Sequence, residues 1–205
     1  SACLVGSEMC IRDRCQNGEA VEAYYFSTSA GVTSTDEIWG SDEAAPYLRS
    51  VPCKFDEEEP WSSWIVELPW KMLEDRIREK GEGTVLRSVT VTRRSESGAA
   101  TALEAVSDKD SCIIENEYEI RKFLAPVNCM ITEKDGTETA GGSLLPSAYF
   151  ELERTQNGNL QVRGKGYGHG VGMSQTGADK MAEQGYDYRE ILDYFFRNIT
   201  VENLG

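Results

Sequence analysis

Positive charge is scarce in this sequence: 21 Lys and Arg stand against 35 Asp and Glu, a formal net charge of −14. Binding to phosphate backbones needs a basic excess, so the balance disfavours a nucleic-acid partner. Histidine is scarcer still, His169 being the only one. Long apolar runs are missing as well, and no membrane span is predicted. The first residues carry no signal-peptide pattern, so an export signal is expected to lie outside this stretch. There are no repeats, no low-complexity tract and no linker that marks a boundary. The length of 205 residues suits one domain or two small ones, with enough chain to bury a core. The spacing of the six cysteines specifies no disulfide. Residues 1–14 show no periodicity and read as translated adapter joined to a partial reading frame. The organisation expected is a leader over residues 1–15 and a domain over residues 16–205 that is incomplete at its N-terminal side.

Glycine, by contrast, is concentrated. It occupies every even position from Gly164 to Gly172 in the run Arg163-Gly-Lys-Gly-Tyr-Gly-His-Gly-Val-Gly-Met-Ser174-Gln175. An extended backbone there would put Lys165, Tyr167, His169, Val171 and Met173 on one face and leave the other bare. A bare face allows close approach of a second backbone or a flat ligand. His169 has two readings, a hydrogen-bonded structural residue and a functional one. A phosphate cradle is a third use of such glycines, but neither a nucleotide-fold strand nor the Walker pattern accompanies them.

Around the run the spacing predicts an α+β fold, mostly antiparallel sheets with a few packed helices, the glycine segment leading into a C-terminal helical hairpin. Strands are expected over 21–27, 64–68, 85–92, 101–106, 149–154 and 159–164, and helices over 70–79, 116–124, 174–184 and 188–196. Gln156-Asn157-Gly158 is a hairpin signal, and its second strand feeds the glycine run. Ser174 is a candidate helix cap, and Asp187 with Glu190 resembles a capping box. Residues 43–48 suggest a short helix or turn, 108–111 a turn, and 136–142 a mobile loop. The acidic stretch of Asp56, Glu57, Glu58 and Glu59 reads as solvated surface without chemistry. Ser27-Thr28-Ser29 reads either as a turn bonding its own backbone or as a polar wall for sugar hydroxyls. Trp39 reads either as a stacking platform or as core.

Two separated stretches carry a family resemblance. The first is Gly166-Tyr-Gly-His-Gly-Val-Gly-Met-Ser-Gln175 with Gly177-Ala178, Gly185-Tyr186 and Tyr188-Arg-Glu-Ile-Leu192. The second is Ala23-Tyr-Tyr-Phe-Ser-Thr-Ser-Ala-Gly31 with Ile38-Trp39-Gly40 and Pro46-Tyr47-Leu48. Both are similar to signatures of the SpoIID/LytB family. The resemblance implies a bacterial, extracytoplasmic cell-wall protein, acting in sporulation or wall remodelling, that cleaves peptidoglycan glycan strands as a lytic transglycosylase. It implies His169, Ser29 and Gln175 as catalytic-site residues, with Tyr25, Ser27, Thr28, Trp39, Lys165, Tyr167 and Ser174 against the glycan. The acid of that chemistry is a Glu in a segment N-terminal to the serine-threonine motif. Glu8 sits in the leader, and Glu19 and Glu22 lack the matching context, so the chain is expected to hold the groove without the acid. Some relatives bind zinc through Cys and His upstream of that motif. Cys10 and Cys15 have no nearby His, so no cofactor or metal is expected here. Expected partners are peptidoglycan strands and other cell-wall hydrolases. The alternative reading is a non-catalytic, amidase-enhancing module that binds glycan in the same groove.

Overall fold

Two adjoining clusters of apolar side chains organise the chain, and the element order explains which residues enter each. The computed structural model describes residues 13–202; Cys3, Glu8 and Cys10 lie outside them. Strands β1 (Asp13–Gln16) and β2 (Glu19–Ala20) form a hairpin, and β3 (Tyr25–Phe26) follows. After a 3-10 turn at Asp36–Trp39 and a second at Pro60–Ser62 comes β4 (Trp64–Leu68). Its pleat turns Trp64, Val66 and Leu68 inward and Ile65 and Glu67 outward. Pro69 then opens α1 (Trp70–Glu79), where Leu73 and Ile77, one turn apart, are buried on the same face.

The next strands are β5 (Leu86–Arg94), β6 (Ala100–Ser107) and β7 (Ser111–Glu115), a consecutive antiparallel sheet. Helix α2 (Glu117–Phe123) is capped by the Asn116 side chain, which accepts the Glu119 N–H at 3.0 Å. Strands β8 (Met130–Glu133), β9 (Glu138–Ala140), β10 (Phe150–Arg154) and β11 (Leu160–Gly164) join β4 in a five-stranded antiparallel sheet of order β10-β11-β4-β8-β9. The first cluster lies between this sheet, α1, α2 and β6, with Val66, Leu73, Leu103, Ile120 and Val162 at its centre. Burial of each such side chain contributes about 1.5–3 kcal/mol.

The chain closes with β12 (Met173–Ser174), α3 (Gln175–Glu183), α4 (Tyr188–Phe195) and β13 (Thr200–Glu202). Ser174 caps α3 through the Gly177 N–H, and Asp187 with Glu190 forms the capping box of α4. Met181, Ile191 and Phe195 from these helices, with Phe196 just beyond α4, meet Ile38, Leu48, Cys53 and Val171 in the second cluster. The α+β architecture, the β10–β11 hairpin and the C-terminal helix pair match the sequence expectation.

Several local expectations need correction. Only Tyr25–Phe26 of residues 21–27 is strand, and it pairs in parallel with Met173–Ser174. The backbone around it bonds to the glycine run and, through Thr33 and Gly31, to residues 51 and 53 instead of to a sheet. Between the turn expected over 108–111 and the helix expected over 116–124 the structure adds β7, a strand not among those expected, whose Cys112, Ile113 and Ile114 pair with β6. Residues 138–140, expected in a mobile loop, are an edge strand turned back by Asp135-Gly136, where Asp135 accepts the Thr137 N–H at 2.8 Å. Of the two readings of residues 43–48, a short helix or a turn, the turn is the one that holds. Asp13 to Cys15, placed with the leader by sequence, pair with Thr200 to Glu202.

Candidate functional site

The glycine run is not extended. Gly166, Gly168, Gly170 and Gly172 all take positive φ, so the chain turns at each of them and the intervening residues do not share a face. Lys165 and Tyr167 point outward while Val171 is fully buried. The bare backbone does allow a close approach, and what approaches is the Ser-Thr segment of the same chain. A methyl on Gly172 would sit 2.3 Å from the Tyr24 carbonyl oxygen, and one on Gly166 2.8 Å from the Ala30 nitrogen. Thr28 and Tyr167 exchange both backbone hydrogen bonds, at 3.1 and 2.8 Å, and Met173 donates to the Tyr24 carbonyl at 3.1 Å. Two motifs about 140 residues apart in sequence are thus laid against each other along a seam between the two clusters.

His169 is fastened into this seam. Its Nδ1 accepts the Val171 N–H at 3.0 Å, which puts the proton of the neutral ring on Nε2. Burial, followed by the charge of Arg121, lowers its pKa to about 4, and a hydrogen bond to the Tyr25 backbone opposes that shift. The imidazole is therefore uncharged near neutral pH. Trp39 meets it edge-on with ring centres 5.2 Å apart, Phe26 does so at 5.9 Å, and Tyr24 packs on Trp39 at 5.0 Å. Behind the loop, Arg121 pairs with buried Glu117 at 2.5 Å and donates to the Leu145 and Pro146 carbonyls at 2.8 and 3.2 Å. The Pro146 carbonyl also accepts the Gly168 N–H at 2.8 Å, which ties the ion pair on α2 to the run.

The residue that sequence reasoning missed is Asp56. It heads the acidic stretch expected to be solvated, yet only 1% of it is exposed. Its carboxylate accepts the Ser29 N–H at 2.8 Å, the Ser29 hydroxyl at 2.7 Å and the Ser174 hydroxyl at 2.6 Å, with Thr176 Oγ1 at 3.3 Å. Buried beside it, the Cys53 thiol is pushed up to about 12 by desolvation and then by the Asp56 charge. Ser29 and Ser174, both buried, thus spend their hydroxyls on Asp56 and join the Ser-Thr turn to the start of α3. Nothing in a run of four acids distinguishes the first from the rest. Its only sequence signal is the short step from Cys53, since both side chains turn inward together.

Outward from this hub the seam carries aromatic and hydroxyl groups. Tyr25 is 58% and Tyr167 42% exposed, and Tyr167 meets Trp61, which is not among the predicted site residues, at 4.6 Å. Ser27 is half-buried, Thr28 is buried, and Gln175 is exposed at the first position of α3. Trp39 borders a cavity of about 500 Å³ with Arg93, Glu115 and Asn116. Lys165 instead borders cavities at the far side of Ser29 and Tyr149. The predicted site residues therefore share the seam but open on two sides of it. Glu22, exposed, is hydrogen-bonded to the Tyr24 hydroxyl beside Trp39, and Glu19 lies exposed in β2. Among the described residues no group of three His, Cys, Asp or Glu is arranged to hold a metal ion, and no helix is long and apolar enough to cross a membrane.

Comparison with known proteins gives this geometry a context. Residues 49–172 match the family described as "Domain of unknown function (DUF8618)". The chain is 30% identical over 181 residues to stage II sporulation protein D of Bacillus amyloliquefaciens, covering 88% of this chain and 45% of that protein. It is 28% identical over 186 residues to the protein of the same name from Bacillus subtilis (strain 168), covering 90% of this chain and 46% of the relative. With the amidase enhancer of Bacillus subtilis (strain 168) it shares 22% identity over 218 residues, 90% of this chain and 30% of the enhancer. The chain spans less than half the length of each of these relatives.

Proposed function

The chain belongs to the DUF8618 family and is a SpoIID/LytB-type, sporulation- and cell-wall-related protein, and from that premise we propose that its seam binds peptidoglycan glycan strands outside the cytoplasm, as the groove of a lytic transglycosylase. The observation that carries this reading is the docking of the Ser-Thr motif on the glycine motif, which leaves Tyr25, Tyr167 and Trp61 displayed along one seam. Flat amphipathic rings suit the apolar faces of pyranose sugars, and adjoining hydroxyls and amides suit their polar edges.

In a lytic transglycosylase a carboxylic acid protonates the glycosidic oxygen as the C1–O bond breaks, and the sugar's own C6 hydroxyl closes on C1, giving its proton to the same carboxylate. That acid is to come from outside this chain. The residues here would hold the strand so that C6 and C1 meet. His169, uncharged and bonded at Nδ1, acts as a positioning residue that fixes Trp39 and the β3 backbone. Ser29 and Ser174 position the turn and the α3 start through Asp56. Gln175, exposed where α3 begins, is the side chain free to reach the sugar.

A second reading, a glycan-binding module that assists another hydrolase, draws support from the same commitments: the buried Asp56, Ser29 and Ser174 are occupied with one another. One experiment tests both readings. Purified glycan strands are incubated with this chain and with His169→Ala, and products are read by mass spectrometry beside a pull-down. Binding without 1,6-anhydro products is expected of the chain alone. Products of that kind would move the acid into this chain, with Glu22, beside Tyr24 and Trp39, as the first carboxyl to replace. Failure to retain any glycan would overturn both readings.

A further inference from the structure

Three cavities along the seam meet at one side chain. Lys165 borders the spaces of about 270, 310 and 410 Å³ that open beside Tyr149, beside Ser29 and across the outer face of β4. Its backbone is held on both sides: the N–H donates to the Tyr149 carbonyl at 2.9 Å, and the carbonyl accepts the Ser147 hydroxyl at 2.6 Å. The flanking glycines fix it further. A methyl on Gly164 would lie 2.0 Å from the Trp64 ring, and the Gly166 carbonyl accepts the Trp64 indole N–H at 2.9 Å. The chain is clamped between Trp64 and residues 28–30, and the Lys165 side chain alone projects from it.

That ammonium has no hydrogen-bond or ion-pair partner among the described residues. The charges around it are largely committed. Glu58 takes Lys134 at 2.8 Å, Glu151 takes Arg94 at 2.9 Å, and buried Glu133 takes the Thr139 hydroxyl at 2.5 Å. Arg163, on the wall of two of the cavities, reaches only Glu153, at 3.9 Å. Glu57, exposed, is the one carboxylate of these walls left over. In a chain of net charge −14, Lys165 is thus a positioned cation, unpaired among the described residues, at the junction of three cavities, and its field attracts an anionic group.

We propose that Lys165, with Arg163 beside it, recognises a carboxylate carried by the glycan strand, so that the seam selects acidic strands over neutral ones. This rests on the glycan-strand reading above. The carboxylate has two possible sources, the sugar itself or an attached peptide. Binding of the parent chain, Lys165→Met and Lys165→Arg is measured by calorimetry with a neutral N-acetylglucosamine oligomer, with peptide-free glycan strands and with peptide-bearing strands. Lys165→Met keeps the length of the side chain without its charge, and the exposed position keeps the fold out of the comparison. The expected result is a five- to tenfold loss, roughly, for carboxylate-bearing strands, none for the neutral oligomer, and retention in Lys165→Arg. The loss should shrink as salt is raised. Weakening with peptide-free strands places the carboxylate on the sugar; weakening with peptide-bearing strands alone places it on the peptide. Equal effects on all three ligands, or none on any, overturn the subsite while the glycan reading stands. Absence of binding by the parent chain to all three overturns the glycan reading and the subsite with it.

Discussion

Leu103 and Val171 are equally buried, but they are held in place differently. Leu103 lies mid-strand in β6, paired with Val91 on one side and Ile114 on the other, in a sheet of three consecutive strands. Val171 lies in no strand; one bridge to Ser34 and one hydrogen bond to His169 hold it. Around Leu103, position follows from near neighbours and from the periods of strands and helices. Around Val171, it follows from partners far along the chain, Ser174 reaching Asp56 across 118 residues and Thr176 reaching Ser27 across 149. The scaffold is thus tolerant of exchanges that keep volume and pattern, and the seam depends on individual atoms.

Two substitutions test that difference where it is largest. Gly172→Ala puts a methyl 2.3 Å from the Tyr24 carbonyl oxygen at a φ of 80°. The left-handed backbone costs about 1–2 kcal/mol and the overlap about 1–3 more. Leu103→Ala leaves a cavity that costs about 2–5 kcal/mol. Both should lower the urea midpoint. Only Gly172→Ala should also weaken glycan retention per folded molecule, because only it pushes the two motifs apart. If Leu103→Ala loses retention equally, the two regions are one cooperative unit and the comparison fails.

Asp56→Asn comes next. It replaces an acceptor of three hydroxyls and an N–H by an amide whose NH₂ faces donors, and should cost about 2–4 kcal/mol in urea unfolding. A change below about 0.5 kcal/mol would mean that Ser29 and Ser174 stay placed without it.

The sequence was most legible where periodicity acts. β4 over 64–68, α1 over 70–79 and the β10–β11 hairpin could be read from alternation, from Leu73 and Ile77, and from Asn157-Gly158. The seam was legible as composition and not as conformation. Alternate glycines are compatible with an extended strand or with a turn at each glycine, and the choice is made by Tyr24 and Thr28, far upstream. The short β7 and β9 were lost for a related reason: each is completed by a neighbouring strand, and the Cys-Ile-Ile of β7 fits the approach to a helix as well as it fits a strand.

His169 offers a graded test. Its pKa is about 4 in the folded chain against 6.5 for an unperturbed imidazole, so the unfolded chain binds the extra proton first. The stabilisation is complete above pH 6.5 and is lost as pH falls towards 4, by about 1–3 kcal/mol. In His169→Gln this part of the pH dependence should vanish from urea midpoints taken between pH 7 and 4. Retention of the full slope would assign it to the carboxylates and free His169 from the seam.

The smallest expected effect is the most specific. Glu58 stands two residues from Asp56 in the same acidic stretch, but its side chain is 90% exposed and its contact with Lys134 is open to solvent. Solvent screening and side-chain entropy leave such a pair little net worth, so Glu58→Gln should stay within about 0.5 kcal/mol of the parent. Set beside Asp56→Asn, it asks whether four consecutive acids act as a charge run or as one buried anchor followed by a solvated rim. A comparable loss in both variants would make the effect one of overall charge, and Asp56 would have no special place. A small effect at Glu58 with a large one at Asp56 would locate the stability of the seam in a single carboxylate and the two serines bonded to it.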